Sequence, residues 1–179
     1  MLKIVNIPNS VLSEPTKSVE KIDDSVRKLV FDMEKTLVAQ KDPQGVGLAA
    51  NQVGLSLSLF VIKKSPKAEA KVFINPKILK LVNPLTRKPG SKKNKKPVKL
   101  EGCLSIPRIW GPVRRANKIF LEYQDLTGKV RKEWFTGFEA TIIQHEIDHL
   151  NGIVFTQRVL EQKHRLYKEV DGDLKPIEI

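Results

Sequence analysis

The sequence predicts an α+β fold, with short mixed or antiparallel strands packed around one central helix in a single domain. Three observations lead there. The chain has 179 residues, enough for one domain with a sizeable core. Short β-type runs alternate with turn signals along most of its length. One strongly apolar helical segment, 139–150, lies late in the chain, and no second hydrophobic unit or internal repeat accompanies it.

The first helix is expected over 23–41, DDSVRKLVFDMEKTLVAQK. Asp23 or Asp24 can cap it, and Val26, Leu29, Val30, Met33, Leu37 and Val38 recur at helical spacing and read as core. Asp42-Pro43 ends it. A loop, DPQGVGLAANQVG (42–54), follows. LSLFVIKK (57–64) and KVFINPKIL (71–79) are β-type runs, the second closed or interrupted by Asn75-Pro76. IFLEYQD (119–125) and KVRKEWFTG (129–137) form a hairpin around Leu126-Thr127-Gly128. EATIIQHEIDHL (139–150) is the buried helix, with Ala140, Ile143, Ile147 and Leu150 apolar, and Asn151-Gly152 stops it because both residues tolerate left-handed backbone. VLEQKHRLYKEV (159–170) is amphipathic and predicts a last helix.

Composition narrows the class. Hydrophobic content is 40% and charged content 29%, ordinary for a globular chain. No run approaches the length of a membrane helix, and the opening MLKIVNIPNSVLSEP does not read as a secretory signal. One cysteine cannot form an internal disulfide, and it suits a reducing compartment. The net charge of +12 favours polyanionic neighbours. Segment 83–99, NPLTRKPGSKKNKKPVK, carries seven Lys or Arg and no acid, so it supplies more than half of that charge. It predicts a solvated loop.

The central helix contains His-Glu-x-x-His. Residues advance about 100° each, so His145 and His149 face the same side and can grip one metal ion, with Glu146 beside them to handle a proton. A catalytic site of this type needs a third protein ligand. The extended protease pattern would place a His where Phe155 stands. A downstream carboxylate would be Glu169, and another imidazole His164, but both lie in the polar C-terminal stretch and read as solvent-facing. Cys103, in LEGCLSIP (100–107), is the leading candidate. Cys plus two His leaves a tetrahedral position open for water, the catalytic arrangement.

GVGLAANQ (45–52), EGCLS (101–105) and QHEIDHL (144–150) together resemble the three signature motifs of peptide deformylase, without a mismatch and in that family's order. The general resemblance runs from near the N-terminus to about Gln157. The Lys-rich loop and RIWGPV (108–113) depart from it.

The resemblance implies a metal-dependent hydrolase that removes the formyl group from the N-terminal formyl-methionine of newly made polypeptides. Cys103, His145 and His149 would hold one divalent ion, ferrous iron in the cell, for which zinc, nickel or cobalt can substitute. Glu146 would be the general base, and the Gln52 amide and the Leu104 backbone N–H would stabilise the oxyanion. Gly47 would pair with the substrate backbone. Val46, Thr141 and Ile142 fall at methionine-pocket positions, though Ile142 also fits the core. Asp148 and Arg115 would form an ion pair fixing the helix against the Cys strand. The implied setting is the cytoplasm or an organellar protein-synthesis compartment, with a monomer as the default. Loop 83–99 and helix 159–170 are candidate contacts to the ribosome. Two other readings compete: a metallopeptidase using Glu169 as ligand, and a basic RNA-binding module with a structural metal.

Overall fold

The computed structural model describes residues 1–65, 67–82 and 99–178. The Lys-rich segment, apart from Lys99, lies outside the described residues. Helix α1, Asp24–Ala39, starts where a local cap can start it: the Asp23 carboxylate accepts from the N–H groups of Ser25 and Val26. Val26, Val30, Met33 and Leu37 are buried, and Leu29 is partly so. Val38 is 57% exposed. It sits about 80° round the helix from Val30, off the buried stripe on which the sequence had placed it.

The strands are β1 (Gly47–Ala49), β2 (Leu59–Ile62), β3 (Lys71–Val82), β4 (Leu100–Cys103), β5 (Ile106–Pro112), β6 (Lys118–Gln124), β7 (Val130–Thr136), β8 (Tyr167–Val170) and β9 (Asp173–Pro176). Helix α2 is Gly137–Leu150 and α3 is Phe155–Glu161. All pairings between strands are antiparallel, in two sheets ordered β1-β2-β3-β6-β7 and β4-β5-β8-β9.

The larger sheet is covered on both sides at its β1–β2 end, which explains the unbroken apolar run LFVI in β2. Leu59 and Val61 join Leu48 and Ile74 under α1, whereas Phe60 and Ile62 join Ala49 and Phe73 under α2. Alternate side chains of one strand thus hold two helices on opposite faces. Phe73 stacks on Phe60 at 4.8 Å and meets Phe135 edge-on at 5.6 Å, anchoring the floor beneath α2. The smaller sheet has its own core of Cys103, Ile106, Val113, Phe155, Val159 and Leu166, which seats α3.

Two departures from the sequence reading, and the outcome at Asn75-Pro76, have identifiable causes. Residues 42–54 contain a strand and a 3-10 turn (Ala50–Val53), because β1 finds a partner in β2. Of the two outcomes expected at Asn75-Pro76, β3 shows the interruption: the register shifts there, the strand runs on, and the Asn75 side chain bonds both backbone groups of Val19 and the side-chain amide of Gln124. Pro76, lacking an N–H, cannot donate to the ladder, and the Asn75 side chain ties the irregular strand to the segment at Val19. The helix expected over 159–170 is also incorrect. α3 stops at Glu161, Lys163 takes a positive φ of 57°, and residues 167–176 form the β8–β9 hairpin because β5 offers a free edge. Lys163, Arg165 and Lys168, the basic residues of the segment expected to contact the ribosome as a helix, therefore do not share one helix face.

Candidate metal centre

The β4–β5 hairpin is irregular where it matters. Gly102 pairs with Trp110 but Cys103 pairs with Ile106, so a bulge re-aims the chain at the cysteine. The bulge turns Cys103 toward α2, where His145 and His149 occupy the inner face. Ligand atoms of these three buried residues all lie within 4.8 Å of one another, and Cys103 Sγ is 3.2 Å from His149 Nε2. Among the described residues, this is the His/Cys/Asp/Glu group able to surround a metal ion. Phe155, at the position where a longer protease motif would carry a third His, instead lies buried with its ring 6.1 Å from that of His145.

Behind these three side chains runs a network of charge. His145 Nδ1 lies 3.0 Å from Glu101 Oε2, which leaves Nε2 for the metal side. Glu101 also accepts two bonds from Arg115, from Nε and Nη2, each 2.9 Å. Burial would raise the Glu101 carboxyl, but the hydrogen bonds from Arg115 and His145 outweigh it and hold it at about 2. Arg115 Nη1 donates to Asp148 Oδ2, and both side chains are under a tenth exposed. Arg158 of α3 grips the same carboxylate through Nε at 3.1 Å and Nη2 at 2.7 Å. One arginine thus ties the Cys strand to the His helix. Burial alone would depress the pKa of His145, but bonds to Cys103 and Glu101 hold it well above the ordinary value. Burial, then the charges of His145 and Arg115, pushes His149 well below it. A dry nest containing thiol, imidazoles and carboxylate suits a divalent cation that neutralises the donors together.

Glu146 faces the same space without joining the ligand set. Its Oε2 is buried and has no hydrogen-bond partner in the protein. Burial is the main cause that lifts its carboxyl to about 7, with the charge of Glu101 adding and those of His145 and Arg115 opposing.

The sequence profile of polypeptide deformylase matches residues 1–165. The chain belongs to the polypeptide deformylase family. It is 38% identical over 162 residues to a peptide deformylase of Dictyoglomus turgidum, covering 90% of this chain and 95% of that one. Against a peptide deformylase of Aquifex aeolicus it is 39% identical over 166 residues, covering 93% and 92%. The fold is similar to the crystal structure of a peptide deformylase from Synechococcus elongatus in complex with actinonin (TM-score 0.76, 35% identity, 88% of this chain and 80% of that one). It is also similar to that of Thermotoga maritima peptide deformylase (0.74, 34%, 89% and 97%). Deformylases are metal-dependent hydrolases that act on N-terminal formyl-methionine.

The remaining residues expected of a deformylase site lie around one cleft of about 1060 Å³. Val46, Gly47, Gln52, Leu104, Thr141 and Ile142 line it together with Cys103, His145 and Glu146. His149 sits fully buried behind them. The Gln52 side chain is locked: Oε1 accepts from the Ala49 N–H at 2.9 Å, while Nε2 donates to Ser105 Oγ at 3.2 Å and approaches Cys103 Sγ at 3.4 Å. The alternative ligands lie elsewhere. His164 Nδ1 bonds the carbonyl of Pro112, and Glu169 accepts from Trp110.

Four residues of this machinery escaped the sequence reading. Glu101 orients His145 from two positions before Cys103, a placement that strand periodicity could have flagged. Asn51 Nδ2 donates to the carbonyl of His149 at 2.5 Å, pinning the end of the metal helix. Ser105 holds Gln52, and Arg158 holds Asp148. The partners of Asn51, Ser105 and Arg158 are remote in sequence, so no local spacing signals them.

Proposed function

We propose that this chain removes the formyl group from formyl-methionyl peptides, with Cys103, His145 and His149 as metal ligands and Glu146 as general base. A divalent cation held by Cys103, His145 and His149 would supply Lewis acidity, lowering the pKa of water and polarising a carbonyl. Glu146 takes the proton of the attacking water and returns it to the departing nitrogen. The formyl C–N bond breaks, formate leaves and the methionine amine is freed. Gln52 Nε2 and the Leu104 N–H donate to the oxygen as it gains negative charge. The observation that carries this reading is the buried, unpartnered Glu146 oxygen beside three convergent ligand side chains.

Substrate roles follow from position. β1 is the edge strand of its sheet, so the backbone at Gly47 is available to pair with an extended peptide. Val46, Thr141 and Ile142 supply apolar lining for the methionine side chain. Borderline Cys and His ligands suit ferrous iron in the cell, with zinc, nickel or cobalt substituting. The chain acts as a monomer in the cytoplasm, on nascent polypeptides. The cations of 83–99 draw it to ribosomal phosphate. No helix among the described residues is long and apolar enough to cross a membrane.

The decisive experiment is turnover of formyl-Met-Ala-Ser by metal-loaded protein. Formate should be released, and Glu146→Gln should keep its metal while losing about 10²–10⁴-fold in rate. Normal turnover by Glu146→Gln would remove Glu146 from the chemistry. Retained metal and activity in Cys103→Ala would favour a peptidase reading. Replacing Lys92, Lys93, Lys95 and Lys96 with Ser should weaken ribosome co-sedimentation at low salt and leave peptide turnover unchanged.

A further inference from the structure

Trp110 lines the cleft beside Cys103 and Gly102. Its indole lies on the bare backbone of Gly102, where a Cβ would fall 2.8 Å from ring atom Cζ3. The ring is thus seated one residue from Cys103, on a wall that α2 does not form. Its Nε1 donates to Glu169 Oε2 at 2.8 Å. Trp110 pairs with Tyr167 across the β5–β8 ladder, so Glu169 is the diagonal neighbour on the same sheet face. The β8–β9 hairpin that supplies Glu169 lies beyond residues 1–165 matched by the deformylase profile, and it is held to the rest of its sheet by β5.

We infer that Glu169 is a positioning residue: from the C-terminal hairpin it fixes the Trp110 indole as the cleft wall that contacts the peptide chain after methionine. This rests on the deformylase reading and extends it to specificity. The pocket residues Thr141 and Ile142 project from α2, together with His145 and Glu146. Trp110, Leu100 and Gly102 belong to the facing β4–β5 hairpin. A peptide paired with β1 and holding its first side chain against α2 presents its following residues to that hairpin. An indole turns freely about two torsions, and a charge-assisted hydrogen bond from its N–H selects one orientation. Glu169 therefore lowers the ordering cost of peptide binding without touching the reacting atoms.

The test compares formyl-Met amide, which ends at methionine, with formyl-Met-Ala-Ser. Glu169→Ala should raise KM for formyl-Met-Ala-Ser about five- to tenfold, keep kcat within about twofold, and leave both constants for formyl-Met amide unchanged. Glu169→Gln keeps an acceptor oxygen and should restore much of the lost affinity. In Trp110→Phe, which retains a ring but has no N–H, Glu169→Ala should have no further effect, since the bond it removes is already gone. Metal content and thermal midpoint identify any variant whose fold is damaged, and the Gln and Phe variants then carry the comparison. An unchanged KM for formyl-Met-Ala-Ser in Glu169→Ala, or equal losses on both substrates at full metal content, overturns the inference. Wild-type protein inactive on both substrates overturns the deformylase reading instead.

Discussion

The backbone of Gly47 touches the carboxylate of Glu146: a Cβ at residue 47 would lie 2.2 Å from Oε1 and 2.7 Å from Cδ. The edge strand and the carboxylate of the metal helix are packed so closely that only glycine fits between them. Gly47→Ala must displace Glu146 or push β1 outward. Displacing a general base by about 1 Å costs on the order of 10²-fold. Formate release by Gly47→Ala should fall by about that factor, while metal content stays at the wild-type level because the three atoms nearest the new methyl group all belong to Glu146.

Cys103 gives a spectroscopic prediction. The cobalt-substituted protein should show a sulfur-to-metal charge-transfer band. Cys103→Ser should lose it and bind metal more weakly, because a hydroxyl is a poor replacement for thiolate. A band retained in Cys103→Ser would show that the sulfur is not a ligand.

Glu101 links the ligand set to stability and pH. Its carboxyl is held at about 2 in the folded protein against an ordinary value of 4.5. A depressed carboxylate stabilises the fold above its unfolded pKa and loses that contribution as pH falls through the folded value. The stabilisation, about 3 kcal/mol for a shift of this size, should therefore disappear between about pH 4.5 and 2. Urea titrations should show Glu101→Gln losing less stability than wild type across that window. The same variant should bind metal about 10–100-fold more weakly, since His145 then meets a neutral amide oxygen in place of the carboxylate whose charge orients the ring and raises its basicity.

The two arginines on Asp148 should differ sharply. Arg115 has a side chain 8% exposed that bridges two buried carboxylates, so Arg115→Ala strands both and should cost about 3–5 kcal/mol. Arg158 has a side chain 32% exposed, and Asp148 keeps Arg115 when Arg158 is removed. Arg158→Ala should cost about 1 kcal/mol or less. Equilibrium unfolding in urea separates the two, and comparable losses would show that the exposed arginine carries more of the network than its burial allows.

What the sequence determined by itself is what local forces decide. Helix α1 follows from a helical apolar stripe and the Asp23 cap, and α2 from its apolar spacing and the Asn151-Gly152 stop. The spacing of His145 and His149 alone puts both rings on one helix face, and the three motifs carried the family. Tertiary structure decided the rest. In one dimension Cys103, His164 and Glu169 were all candidates for the third ligand; the bulge at Gly102 and Cys103 brings one to the histidines, and long-range bonds to Pro112 and Trp110 engage the other two. Residues 159–170 carry an amphipathic pattern that either a helix or a strand can satisfy, and the open edge of β5 selects the strand. Glu101, Asn51 and Ser105 acquire their meaning only once strand, turn and helix lie side by side, because a hydrogen bond needs its partner at about 3 Å and the chain places those partners far apart in sequence.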